Sequence, residues 1–185
     1  MRSILIPKFP LSLLPAMLGY AALGALVAGL YGVVHDEITY SISPEYFTRL
    51  KFLQFRCADF GLPSRVFVAE IGFLATWWVG FIAGWFLARV AVPSFPPAEA
   101  RPLCFQGFAI ILVCAAVASV VGFVLGLLRG PNADLSAWQG FASTRGVVDL
   151  PSFVRVAYIH NAGYLGGLVG LVIALIRLWW LKRPL

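Results

Sequence analysis

Long apolar stretches separated by short polar segments dominate the pattern of this chain. They run over residues 11–35, 66–92, 102–128 and 152–181. A helix needs about 20 mostly apolar residues to cross the hydrocarbon core of a bilayer. The pattern therefore predicts an all-α fold in which residues 1–185 form one polytopic membrane domain, a four-helix transmembrane bundle.

The first stretch follows Arg2 and Lys8, a basic start like that of a cleaved signal peptide. The apolar core of a signal peptide is usually about 7–15 residues long, and this stretch is about twice that length. We therefore expect the segment to stay in the protein as its first helix.

The first loop carries patterns of its own. Residues 38–42 alternate apolar and polar side chains, which indicates a short strand-like segment. Pro44 and Glu45 then suit the first turn of a helix. The aromatic and basic residues 46–55 predict a short helix that lies in the membrane interface of this first outer loop.

The second and third loops carry fewer recognisable patterns. Prolines between residues 93 and 97 predict a stiff second loop, and Gly130 with Pro131 ends the third apolar stretch. In the third loop, Trp138 and Phe141 are expected to reach the headgroup layer.

Small residues repeat at helical spacing inside the apolar stretches. Such faces let helix backbones approach closely in lipid and so mark helix–helix contacts. The pattern leaves open whether these contacts lie within one chain, in a homo-oligomer or against a membrane partner subunit. The packing glycines are Gly80 and Gly84, Gly122 and Gly126, and Gly163 and Gly167.

Composition supports the membrane class and excludes others. The chain is 61% hydrophobic and 12% charged, against about 25% charged in ordinary soluble domains. The net charge of +6 comes from basic residues at the ends of the apolar stretches, where Lys and Arg flank the bilayer. We therefore expect the lipid bilayer, and no nucleic acid, as a partner. The three cysteines form no C-x-x-C pair, which disfavours a thiol oxidoreductase.

Charge gives only a weak indication of orientation. The 14 basic residues divide evenly between the two sides of the membrane. Those on the side of the termini lie in short segments beside helix ends, where positive charge has most influence on topology. The longer loops on the opposite side carry most of the acidic residues. This distribution favours two cytoplasmic termini.

The topology gathers the candidate functional residues at one membrane face, taken as the outer one. The end of the first stretch and the starts of the second and fourth stretches all lie there. Helical phase places both histidines on faces rich in small residues, so we expect them to point into the bundle. The members of this candidate polar cluster are His35, Asp36, Glu37, Glu70, Arg155, His160 and Asn161.

Three interpretations of the cluster remain open. The first is a structural network in which Glu70 pairs with Arg155 and the histidines bond to backbone, Asn161 or tyrosines. The second is a proton- or cation-handling site. The third is a bound transition metal or haem, although no H-E-x-x-H or E-x-x-H spacing is present. The sequence identifies no catalytic residue and no cofactor.

Several short motifs resemble a group of uncharacterised bacterial integral membrane proteins with four spans. They are His35-Asp36-Glu37-Ile38-Thr39, Glu45-Tyr46-Phe47-Thr48, Ala75-Thr76-Trp77-Trp78-Val79-Gly80 and His160-Asn161-Ala162-Gly163-Tyr164. The resemblance implies a four-span fold, and it implies a bacterial inner membrane as the location. It implies no activity and transfers no site residue.

The leading functional hypothesis is therefore a multi-pass membrane protein acting without catalysis, as an accessory or assembly protein. The alternative is a small transporter or channel whose outer-leaflet site uses His35, Glu70 and His160. A metal- or haem-binding membrane redox protein is the third.

Overall fold

The structure is a computed structural model that describes residues 9–130 and 134–182. Within these ranges the chain is helical, without strands. The helices are α1 (Leu14–Ile42), α2 (Pro44–Tyr46), α3 (Phe52–Gln54), α4 (Ser64–Ala91), α5 (Pro97–Arg129), α6 (Ser136–Arg145) and α7 (Leu150–Leu181). Helices α1, α4, α5 and α7 are long and apolar enough to cross a membrane. The predicted four-span, all-α bundle is confirmed, while Arg2, Lys8 and Pro131 lie outside the described residues.

Local chemistry explains where the long helices begin and end. Prolines occupy the first turns of α1, α5 and α7, where a missing N–H costs no helical hydrogen bond. The carboxylate of Asp149 accepts the N–H of Ser152 at 3.1 Å and caps α7. Helix α5 ends at Gly130, whose φ of 67° a side chain would disfavour.

Helix α1 is longer than the sequence pattern predicts, and the strand-like interpretation of residues 38–42 is wrong. The helix continues to Ile42. Gly32, Asp36 and Thr39 are buried at helical spacing, so the packing face extends past the apolar stretch. The Thr39 hydroxyl donates to the carbonyl of His35 at 3.0 Å, as is usual for threonine within a helix.

The first loop contains the short helical segment that the sequence predicts. Helix α2, a π-helical turn over Phe47–Lys51 and helix α3 follow one another directly. We call residues 44–54 the cap segment. Tyr46, Phe47 and Lys51 are buried, so one face of the cap segment packs onto the end of the bundle.

The third loop contains a helix that the sequence pattern did not predict. Helix α6 ends at Gly146, which adopts the left-handed conformation with φ 64°. Trp138 and Phe141 were expected in the headgroup layer. In the structure their rings lie against Phe153 of α7, with centroid distances of 6.3 and 5.7 Å.

Two antiparallel helix pairs make up the bundle, and the first is α1 with α4. A Cβ atom added to Gly24 would collide with the carbonyl of Gly80, and one added to Gly32 would collide with that of Gly72. Gly84 lies equally close to the backbone of Tyr20. The two backbones therefore touch along most of the pair.

The second pair, α5 with α7, uses the same principle. A Cβ atom on Gly122 would lie 2.5 Å from the carbonyl oxygen of Tyr158, and one on Gly126 would lie 2.7 Å from Cγ of Arg155. On α7, a Cβ atom added to Gly166 would lie 2.5 Å from the carbonyl oxygen of Cys114. Apart from Gly167, whose Cβ position has no atom closer than 4.0 Å, the packing glycines predicted from the sequence are thus occupied by contacts within the chain.

Large apolar side chains cover much of the outer surface of the long helices. Trp77 and Trp78 of α4, Val120 of α5 and Leu165 of α7 are all exposed. Exposed apolar side chains along helices of this length suit contact with lipid.

We expect Gly166→Ala to lower the free energy of unfolding by about 1–3 kcal/mol, because the new methyl group overpacks the α5–α7 contact. Gly167→Ala is the matched control, since its Cβ would lie 4.0 Å from the nearest atom, Cβ of Ala115. This control should be neutral or slightly stabilising. Thermal unfolding of both variants in one detergent provides the measurement. Equal losses in the two variants would contradict close packing at Gly166.

Candidate functional site

A buried contact between His160 of α7 and Asp36 of α1 lies at the end of the bundle nearest the cap segment. The Nε2 atom of His160 lies 3.2 Å from Oδ1 of Asp36. His160 is 2% exposed and Asp36 is 3% exposed. The contact joins the two helix pairs, because each residue belongs to a different pair.

The hydrogen bond made by Nδ1, the second ring nitrogen of His160, determines whether Nε2 can donate to Asp36. Its Nδ1 lies 3.0 Å from the carbonyl oxygen of Val156. A carbonyl only accepts hydrogen bonds, so Nδ1 must carry a proton and donate it. In the neutral ring Nε2 is then an acceptor, and it faces a carboxylate oxygen of Asp36, another acceptor. Two acceptors 3.2 Å apart need a cation between them, either a proton or a metal ion.

His35 completes a group of three possible metal ligands. Its ring contacts the His160 ring edge-on, with centroids 4.8 Å apart. One potential ligand atom from each of His35, Asp36 and His160 lies within 4.8 Å of the other two. The Oδ2 atom of Asp36 is buried and has no hydrogen-bond partner in the described structure. The group therefore has spare acceptor capacity directed into the protein.

Aromatic rings of the cap segment cover His160. The Tyr46 ring stacks on His160 with centroids 4.9 Å apart, and Phe47 lies edge-on at 6.2 Å. Burial raises the pKa of Tyr46 above its usual range, and nearby Tyr164 and Asp36 add to the effect. The Tyr46 hydroxyl thus stays protonated, which makes it a hydrogen-bond donor and not a phenolate ligand.

Glu45 attaches the cap segment to the start of α7. Its carboxylate accepts the N–H of Val148 at 3.0 Å and the N–H of Asp149 at 2.8 Å. These backbone groups precede α7, where a negative charge also suits the helix dipole. The attachment holds Tyr46, the next residue, over His160.

Lys51 adds a positive charge to the inner side of the cap segment. The side chain is buried, and its Nζ lies 5.9 Å from the centre of the Phe55 ring. The cap segment that carries Lys51 also covers His160 of the cluster. Any further cation bound at His35 therefore has to overcome repulsion from the Lys51 ammonium group.

The remaining predicted cluster residues lie apart from this centre. Glu37 accepts a hydrogen bond from Arg65 at 2.7 Å in an exposed ion pair, and Asn161 is exposed. Glu70 has one buried carboxylate oxygen without a hydrogen-bond partner. Arg155 packs against Gly126. The expected Glu70–Arg155 ion pair is not formed among the described residues.

The sequence interpretation missed three contributors to the site. Tyr46 and Lys51 appeared there as parts of a helix at the membrane surface. Ser119 of α5 was not among the predicted site residues. Its buried hydroxyl would lie 2.5 Å from a Cβ on Gly163. Phe47 and Lys51 are spaced i, i+4, which could have predicted that an apolar and a basic side chain share one face of the cap segment.

The donor set fits a metal ion better than it fits haem. Two imidazoles and one carboxylate suit divalent transition metals. Haem with two histidine ligands needs the macrocycle between the rings, yet the His35 and His160 rings are in edge contact. The residues present therefore do not fit a haem group.

Comparison of the chain with known protein families, with curated proteins and with solved structures found no match. The function has to be inferred from the geometry of the site.

We expect Asp36→Ala to lower the free energy of unfolding by about 3–5 kcal/mol, because it leaves His160 buried without its partner. Glu37→Ala, one residue along the same helix, removes only an exposed ion pair and should cost less than about 1 kcal/mol. Chemical denaturation of both variants in detergent tests the difference. Similar losses would show that the buried contact is not a major link between the helix pairs.

Proposed function

We propose that this chain is an integral membrane protein that binds one divalent transition-metal ion at His35, Asp36 and His160. The observation that carries the proposal is the 3.2 Å approach of the His160 Nε2 acceptor to Asp36 Oδ1. This approach requires a shared cation, and His35 places a second imidazole beside it.

The separation of His160 Nε2 from Asp36 Oδ1, 3.2 Å, suits metal coordination. Ligand atoms about 2.0–2.2 Å from one tetrahedral ion are about 3.3–3.6 Å apart, close to the His160–Asp36 separation. The second oxygen of Asp36, which is buried and without a partner, offers a fourth donor atom. The bond from His160 Nδ1 to the Val156 carbonyl fixes the ring in the way that outer contacts fix metal-bound histidines.

The enclosure of the site supports a role without catalysis. Tyr46 and Phe47 cover His160 and are themselves buried. Metal sites that are closed to substrate are structural, whereas catalytic sites keep an open position. We therefore propose a metal-holding accessory or assembly protein. A partner subunit would have to contact the apolar outer faces, such as that of Trp77 and Trp78, because the glycine faces are occupied.

A proton-handling membrane transporter is the second candidate, and two buried groups favour it. A proton satisfies the contact of His160 with Asp36 as well as a metal ion does. Glu70, on α4, has a buried carboxylate oxygen without a partner, and an ionisable group inside a membrane often serves a proton pathway. The positive charge of Lys51 opposes a divalent ion more strongly than it opposes a single proton.

Calorimetric titration of metal-stripped protein in detergent with Zn²⁺ separates the two candidates. Because the donor atoms are already close together, we expect one ion per chain with a dissociation constant of about 1 μM or below, equivalent to about 8 kcal/mol of binding free energy. His35→Gln and Asp36→Asn should weaken binding at least about 10-fold, since each removes a ligand. Glu37→Gln is the control and should bind like the unaltered chain.

Lys51→Met sharpens this experiment, because loss of the neighbouring positive charge should tighten Zn²⁺ binding. If the unaltered protein binds no Zn²⁺, or if Glu37→Gln weakens binding as much as Asp36→Asn, the metal proposal is wrong. Proton flux into proteoliposomes that is lost in Glu70→Gln would then support the transporter.

We further propose that the protein lies in a bacterial inner membrane with both termini in the cytoplasm. The support is the placement of basic residues beside the helix ends on the side of the termini. Antiparallel packing within the two helix pairs and the contact of His160 with Asp36 support this proposal, because the start of α1 and the end of α7 lie on one side and the cap segment lies on the other. The histidine cluster then lies at the outer face.

The exposed Cys57 beside the cap segment allows this orientation to be tested without adding a cysteine. A membrane-impermeant maleimide should label intact spheroplasts that express the unaltered chain, because Cys57 would face outwards. Cys57→Ser should abolish the labelling, since Cys104 is buried and Cys114 is only partly exposed within a span. Labelling that appears only after lysis would place the termini outside.

A further inference from the structure

A groove between α1 and α5 lies at the end of the bundle opposite the cap segment. It has a volume of about 370 Å³. Beyond Leu23 the two helices approach closely, with 3.1 Å between the Phe108 ring of α5 and a Cβ placed on Gly24 of α1. The groove is lined by Ala16, Gly19, Tyr20, Leu23, Arg101 and Phe105.

The walls of the groove are suited to a hydrocarbon chain. Leu23 and Phe105 contribute apolar surface, and no atom lies within 4 Å of a Cβ placed on Gly19. The volume lies within the range of about 300–1,000 Å³ typical of small-molecule pockets. A whole helix, about 10–12 Å wide, is too large for this space. An extended acyl chain is the apolar partner that fits.

A positive charge lies among the lining residues near one end of the groove. Arg101 is four residues into α5, about 6 Å along the helix axis from Pro97, a depth close to the headgroup layer. Among the described residues Arg101 forms no ion pair, and its guanidinium lies 6.0 Å from the centre of the Phe105 ring. Tyr20 lines the same groove as Arg101. Together they offer two hydrogen-bond donors to a phosphate group.

We propose that this groove binds one anionic phospholipid, independently of the histidine cluster. One acyl chain lies along Leu23 and Phe105. The lipid phosphate accepts hydrogen bonds from Arg101 and Tyr20. Arginine is suited to this role because its planar guanidinium matches the geometry of phosphate oxygens. The charge of Arg101 favours a lipid with net negative charge over a zwitterionic one of the same chain length.

Native mass spectrometry of the purified full chain, titrated with phosphatidylglycerol or with phosphatidylcholine of identical chains, tests the proposal. The unaltered protein should retain one phosphatidylglycerol with about fivefold preference over phosphatidylcholine, as expected for one basic residue. Arg101→Gln should abolish the preference. Gly19→Leu, which fills the groove, should weaken binding of both lipids.

Gly140→Leu is the matched control, because Gly140 of α6 also has open space around its Cβ position but lies outside the groove. This variant should bind both lipids as the unaltered chain does. Equal retention of the two lipids by the unaltered protein would overturn the proposal. A preference that survives Arg101→Gln, or binding that survives Gly19→Leu, would place the lipid elsewhere and would overturn it as well.

Discussion

Backbone contact between helices is the interaction on which this structure depends. In lipid no hydrophobic force drives helices together, so their association depends on close packing and on hydrogen bonds between helices. Glycine supplies the close packing here, with Gly24 against Gly80 in one pair and Gly122 against Tyr158 in the other. In both pairs the missing side chain brings carbonyl groups of one helix to the surface of the next. The Thr76 hydroxyl, which donates to the Ala28 carbonyl at 2.8 Å, shows the hydrogen bond that such proximity permits.

The polar groups act between the pairs, where glycine contacts are fewer. His160 and Asp36 come from different pairs and meet with almost no exposure to solvent. A contact of this kind is costly unless every donor and acceptor is satisfied. One oxygen of Asp36 is buried without a partner, and this is the observation on which the proposed cation site depends. Tyr46 and Phe47 then complete the enclosure from the cap segment.

The spans could be predicted from the sequence because hydropathy over about 20 residues is a strong pattern. The placement of both histidines at one end of the bundle followed from counting spans. The role of Asp36 could not be predicted, since residues 38–42 resembled a strand and hid the continuation of α1. Burial of the acidic side chain depends on His160, 124 positions away in the chain. Similarly, α6 has a weak apolar pattern and is held by Phe153, which sequence spacing does not reveal.

The short turn between α4 and α5 separates the two helix pairs along the chain. Before the turn α1 pairs with α4, and after it α5 pairs with α7. The molecule is therefore built as two successive helix hairpins, and backbone contacts at glycine lie within each of them. During synthesis the first hairpin can enter the membrane and close on its own. His160 on α7 can contact Asp36 only after the second hairpin has packed against the first. The polar contact is therefore expected to form last, when the whole bundle is assembled.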